Sequence, residues 1–274
     1  MATLDLSTSH RRRSPLPVVR RIAPRDVADA LRAGFDDFWA MPTHVVFLCL
    51  MYPLVGLVLG RVVFGYDVLP LLFPLAAGFA LVGPFAALGL YELSRRREAG
   101  LDTGWKHAFD VVRSPSFPAI VALGLLLVLI FLVWIAVANA IYVATFGYAP
   151  AASMPQFVER LFNTPEGWRL ILIGNGVGFL FALLVLVISV VSFPLLLDRP
   201  VGPAAAILTS VRAVLKNPLT MLLWGLIVAL ALIAGSIPLF FGLAVAMPIL
   251  GHATWHLYRR VVVQETSRPY DGAT

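Results

Sequence analysis

The chain has 274 residues, of which 59% are hydrophobic and 13% charged, with a formal net charge of +6. A soluble domain carries about a quarter charged residues, so this composition excludes a water-soluble globule, which it could not cover with polar surface. The charges are also segregated: nothing ionisable at neutral pH except histidine lies between Arg169 and Asp198, or between Lys216 and Arg259.

In chain order, residues 1–23 form a Ser/Pro/Arg-rich tail with little to bury, read as a disordered segment. The tail is not a cleavable signal, because Arg11-Arg12-Arg13 is followed by Ser14-Pro15-Leu16-Pro17 and not by an apolar core. An amphipathic stretch, FDDFWAMP, then ends at Pro42 and an uncharged run begins. An uncharged run of about 20 residues spans the hydrocarbon core, so the apolar segments predict six transmembrane helices. They cover 43–64, 68–92, 117–146, 168–197, 219–234 and 237–257. Helices are required because backbone polar groups in lipid must be satisfied within the segment. The segment between spans three and four, 147–167, contains a short amphipathic turn in MPQFVERLF. There Thr164-Pro165-Glu166 reads as an N-cap, a first-turn proline and a first-turn acid opening span four.

Basic residues set the orientation. Arg11, Arg12, Arg13, Arg20, Arg21, Arg25, Arg32, Arg95, Arg96, Arg97, Lys106, Arg113, Arg199, Arg212, Lys216, Arg259, Arg260 and Arg268 share one side. Arg61, Arg160 and Arg169 fall on the other. The positive-inside rule places both termini in the cytoplasm. These residues punctuate spans and form no single patch, so no nucleic acid partner is expected.

The unit repeats. AFDVVRSP ends at Pro115 and VRAVLKNP at Pro218, as FDDFWAMP ends at Pro42. Aligned on the prolines, Phe35/Phe38/Trp39, Ala108/Val111/Val112 and Val211/Val214/Leu215 share one helical face, with Asp36, Asp37, Asp110, Arg212 and Lys216 on others. Each stretch predicts an interfacial helix that the proline ends. GPFAALGLYELSRR also aligns without gaps on MPILGHATWHLYRR. The predicted fold is therefore all-α and polytopic: three repeated units of interfacial helix plus hairpin, 24–100, 101–200 and 201–262. They make one membrane domain over 24–262, with a short cytoplasmic tail at 263–274.

Polar groups inside a membrane are expensive and are the functional candidates. Glu92, His252 and His256 lie near span ends, the histidines one helical turn apart, and His44 begins span one. A carboxylate with imidazoles is a candidate polar or metal cluster. The alternative is an interfacial set bonded to water, backbone or headgroups. The identity of any metal is left unknown, and no cofactor is predicted. Asn139, Asn175, Ser189 and Ser192 lie deeper and are read as packing glue between helices. Gly174-Asn175-Gly176-Val177-Gly178 lacks a preceding strand, so it is read as close helix packing and not as a dinucleotide loop. The lone Cys49 can form no intramolecular disulfide, and no catalytic constellation is evident.

At FLCLMYPLVGLVLGR, FPLAAGFALVGPFAALGLYELSRRREAGLD, DVVRSPSF and GHATWHLYRR the chain resembles a bacterial integral-membrane family, domain of unknown function 2189. The resemblance runs from about Val19 to Val262. Some members carry a cytochrome c oxidase label, which this sequence does not support: haem and copper ligation needs several deep histidines on different spans. More distantly, the unit resembles non-catalytic membrane domains fused to bacterial glycerophosphodiester phosphodiesterases. The expected role is that of a non-enzymatic scaffold or assembly partner in the bacterial inner membrane. Its expected partners are the lipid bilayer and a membrane protein or a second copy of itself. A transporter or lipid-handling protein is the alternative, with Asn139, Asn175 and Ser192 on its pathway. A metal- or haem-dependent redox protein ranks last.

Overall fold

The computed structural model describes residues 16–41, 72–148, 154–238 and 241–264. The expected first span, with His44 and Cys49, lies outside the described residues. The regular secondary structure of the described residues is helical, apart from one isolated antiparallel bridge between Val19 and Val262.

Helix α1, Pro24–Ala40, starts where Pro24 supplies a pre-set φ and the Asp26 carboxylate accepts the Ala23 N–H at 2.8 Å. Helices α2, Leu72–Ala86, and α3, Leu88–Glu98, follow. Pro84 lies inside α2 and lacks an N–H, and the chain breaks at Ala87. A 3₁₀ helix, Trp105–Arg113, leads into α4, Phe117–Phe146. Helix α5, Met154–Asn163, turns the chain back into α6, Pro165–Ser189. The α6 N-terminus is as the sequence predicts: the Thr164 Oγ1 accepts the Gly167 N–H at 3.0 Å. After Val190 and Val191 the helix resumes as α7, Ser192–Asp198. Pro194 cannot donate backwards there, and the Val191 N–H turns to the Ser210 Oγ at 3.2 Å. Helix α8, Pro203–Lys216, precedes α9, Pro218–Ser236, and α10, Leu243–Val261.

Among the described residues, three stretches are long and apolar enough to cross a membrane: α4, Pro165–Asp198 (α6 with α7) and α9. The expected spans at 68–92 and 237–257 correspond to α2 with α3 and to α10, neither of which meets that measure. The break at Ala87 divides the first, and the second half of α10 carries His252, His256, Arg259 and Arg260.

Each stretch before the repeated prolines is helical, but its apolar face divides. Four residues before the proline, Phe38, Val111 and Val214 are each 6% exposed; three before it, Trp39, Val112 and Leu215 are 70%, 59% and 72% exposed. One apolar residue anchors each element to the bundle and its neighbour points outward.

Helix α1 packs antiparallel along the end of α10. A Cβ on Gly34 would sit 2.6 Å from the Ala253 nitrogen, so the two backbones touch where only glycine fits. The buried face of α1 is Val27, Ala30, Gly34, Asp37 and Phe38. This departs from the expected aromatic face and puts Asp37 inside, because small residues allow a closer approach than Phe35 or Trp39 would.

Residues 18–23, expected to belong to a disordered tail, form an extended strap. The Arg20 N–H donates to the Val261 carbonyl and the Val263 N–H to the Val18 carbonyl, both at 2.9 Å. On the other side the Asn217 Oδ1 accepts the Ile22 N–H at 2.8 Å, and its Nδ2 donates to the Arg20 carbonyl at 3.1 Å. The Thr220 hydroxyl donates to the Ile22 carbonyl at 3.2 Å. The strap is held by side chains almost 200 residues away in the chain, which local composition cannot reveal.

Candidate functional site

The meeting point of α1, α3 and α10 is a buried polar network centred on Asp37. The Ser94 hydroxyl donates to Asp37 Oδ2 at 2.5 Å, and His256 Nε2 lies 2.8 Å from the same oxygen. Arg97 pairs with Oδ1. His252 Nδ1 lies 2.8 Å from the Ser94 Oγ. A serine has one proton to give, and Asp37 takes it, so His252 donates from Nδ1 and Ser94 accepts. Ser94, His252 and Asp37 are all buried.

Burial opposes the charge on Asp37, but hydrogen bonds from His256, Ser94 and Arg97 outweigh it and hold the carboxyl below its ordinary range. An anion inside the protein costs several kcal/mol to desolvate, and only a full set of donors offsets that. Both oxygens of Asp37 have such donors.

The sequence brings His252 and His256 to this network but takes Glu92 elsewhere. Glu92 is buried against Arg95, which donates to both its oxygens at 2.7 Å, and against Arg96 at 4.0 Å. The pairing is local, three and four residues along one helix. His44 lies outside the described residues. Among those described, no group of three or more His, Cys, Asp or Glu side chains is arranged to hold a metal ion.

Asp37 is the member that sequence reasoning missed. The signal available was the stripe Val27, Ala30, Gly34 and Asp37 at spacings of three and four, which marks a tightly packed face.

A second set of contacts ties α10 to α3 and α7. Trp255 Nε1 donates to Glu98 at 3.0 Å, Arg259 meets Glu98 at 2.8 Å, and the Tyr258 hydroxyl donates to Asp198 at 2.5 Å. On the α1 side Arg260 reaches Asp26 and Asp29, both at 3.3 Å.

Three of the deeper polar residues bond the backbone one turn back in the chain. Asn175 donates to the Ile171 carbonyl at 2.8 Å, Ser189 to Val185 at 2.6 Å and Ser192 to Ile188 at 2.5 Å. Each bond runs four residues back, and the cross-helix role expected of them is not the one they take. Asn139 and Asn175 are exposed, while Ser189 and Ser192 are buried. In the glycine run, a Cβ on Gly178 would lie 3.1 Å from the Trp134 ring, whereas Cβ atoms on Gly174 and Gly176 would meet nothing within 4 Å.

Long apolar helices with their polar groups collected at one end define an integral membrane protein. The comparison with protein families agrees: residues 71–198 match the model of DUF2189, described as a predicted integral membrane protein. The match is shorter than the resemblance read from residues 19–262. No curated protein and no solved structure matches the chain.

Proposed function

We propose that the protein is a non-enzymatic scaffold or assembly partner in the bacterial inner membrane. In this reading six transmembrane helices form three repeated units of interfacial helix plus hairpin, with both termini in the cytoplasm. The observation that carries it is the use of the buried polar groups. Ser94 and His252, the one serine–histidine contact in the network, have no exposed surface, and the serine proton is already given to Asp37. Such a pair joins helices and has no access to a substrate. A transport pathway finds less support, since Asn175 and Ser192 each give a proton to the backbone carbonyl one turn back in the chain. The divided faces before Pro115 and Pro218, matched at Phe38 and Trp39, support the repeat and leave an outward apolar residue in each unit.

The test is purification in gentle detergent followed by identification of what accompanies the protein. A membrane protein or a second copy in defined ratio is expected. A clean monomer carrying a small solute would replace this reading with transport.

A further inference from the structure

A groove of about 530 Å³ lies between the extended strap and α8, lined by Leu16, Val18, Arg212, Leu215 and Lys216 among others. Its chemistry is divided. Val18 and Leu215 are 66% and 72% exposed apolar side chains, and beside them stand the cations Arg212 and Lys216. Most arginines at this end of the bundle are neutralised within the protein: Arg95 by Glu92, Arg97 by Asp37, Arg199 by Asp198, Arg259 by Glu98 and Arg260 by Asp26. Neither Arg212 nor Lys216 has a carboxylate partner among the described residues. Lys216 gives one of its three protons to the Val19 carbonyl at 2.7 Å, which fixes the ammonium at the groove wall and leaves two donors.

The level of the groove is set by the chain that follows. Asn217 closes α8, and the membrane-crossing α9 begins at Pro218 with Leu219, 81% exposed. A groove at the mouth of a span, with apolar side chains beside unpaired cations, lies where a phospholipid changes from acyl chain to headgroup. We propose that it binds an anionic phospholipid of the bilayer. The phosphate is held by Arg212 and Lys216, and the first part of an acyl chain lies on Leu215 and Val18. The volume is in the range of built ligand sites, and the charge complementarity favours an anionic headgroup over a zwitterionic one.

The full-length protein, reconstituted in nanodiscs of phosphatidylglycerol and phosphatidylcholine in equal amounts, is released into native mass spectrometry and its retained lipid identified. Wild type should retain phosphatidylglycerol in preference. Arg212→Ala should lower that retention about fivefold, the factor one cation contributes at an anionic surface, and Arg212→Lys should keep most of it. Arg32→Ala, which removes an exposed cation on α1, should leave retention unchanged. An equal loss in Arg32→Ala, or no preference over phosphatidylcholine, overturns the site. Displacement of the lipid by millimolar inorganic phosphate assigns the cations to a free anion and overturns the lipid assignment.

Discussion

His256 Nε2 lies 2.8 Å from Asp37 Oδ2, a contact between residues 219 positions apart that joins the first described helix to the last. Around it Ser94 adds α3 and Arg97 neutralises the charge. Three helices thus meet on one carboxylate, and replacing that carboxylate is the most direct test of what holds this end of the bundle together.

Asp37→Asn should destabilise the protein by about 1–3 kcal/mol, the cost of an unsatisfied buried group. Arg97 can only donate, so the amide must turn its NH₂ to Ser94 and His256, which give their protons to the carboxylate and would have to change roles to accept. His256→Gln, at a more exposed position, should cost less. Thermal unfolding in detergent measures both. Purified wild type should carry no stoichiometric zinc, iron or copper by elemental analysis. Metal that is retained by wild type and lost in His256→Ala would replace the structural reading with a metal site.

Gly34→Ala should destabilise by about 1–3 kcal/mol, as overpacking does. The added carbon would press on the nitrogen, Cα and Cβ of Ala253, all within 2.8 Å. Adding Ala253→Gly should recover only part of the loss, because the backbone atoms stay in place. Full recovery in the double variant would mean that the side chain alone, and not helix approach, sets the contact.

Much of the architecture was legible because it is written in local patterns. The uncharged runs gave α4, α6 and α9, and Thr164-Pro165-Glu166 marked a helix start. The site was half legible. His252 and His256 stand out as polar residues on an apolar helix, whereas periodicity puts Asp37 with Asp36 off the apolar face. What buries it is the near-contact of Gly34 with Ala253, a pairing of distant segments that periodicity cannot supply. The strap on Asn217 was hidden for the same reason. Depth alone groups Glu92 with the histidines, whereas its partners Arg95 and Arg96 stand one turn away along the same helix.

His107 offers a pH-dependent tie outside the spans. Its Nδ1 lies 2.6 Å from Asp110 and its Nε2 3.0 Å from Asp102, with Arg96 and Arg113 also facing Asp110. Hydrogen bonds to Asp110 and Asp102 raise the imidazole above its ordinary 6.5, and the Gly104 N–H and His107 lower Asp102 below 3.8. A raised histidine stabilises fully below pH 6.5 and loses its contribution as pH rises through the folded value. A lowered aspartate stabilises above pH 3.8 and loses its contribution as pH falls through its own. The tie is therefore complete between these limits, and hydrogen exchange across 99–113 should quicken as pH rises above 6.5, after correction for intrinsic rates. In His107→Gln that pH-dependent increase should vanish; its persistence would assign the effect to another group.

The proposed topology is tested by alkaline phosphatase fusions. Activity is expected after Gly65, Ala152 and Ser236, and none after Gly100 or Pro203. Arg95, Arg96 and Arg97 stand just before Gly100 and keep that loop on the positive side. An active fusion at Gly100 would invert the assignment of both termini.

The repeated proline units make the last prediction. Spin labels placed singly at Trp39, Val112 and Leu215 in bilayers should contact lipid-soluble relaxation agents, while labels at Phe38, Val111 and Val214 should be shielded. The exposures of 70%, 59% and 72% against 6% at each inner position set the expected contrast. A label at the inner position also removes a packed side chain, so mild destabilisation is expected there and not at the outer one. The comparison must hold in all three units, because they share only the distance to the proline. Contrast at Val214 and Leu215 with none at Val111 and Val112 would mean that the 3₁₀ segment does not use the membrane as the helix does. Uniform aqueous access at Trp39, Val112 and Leu215 would remove the interfacial helices from the proposed architecture.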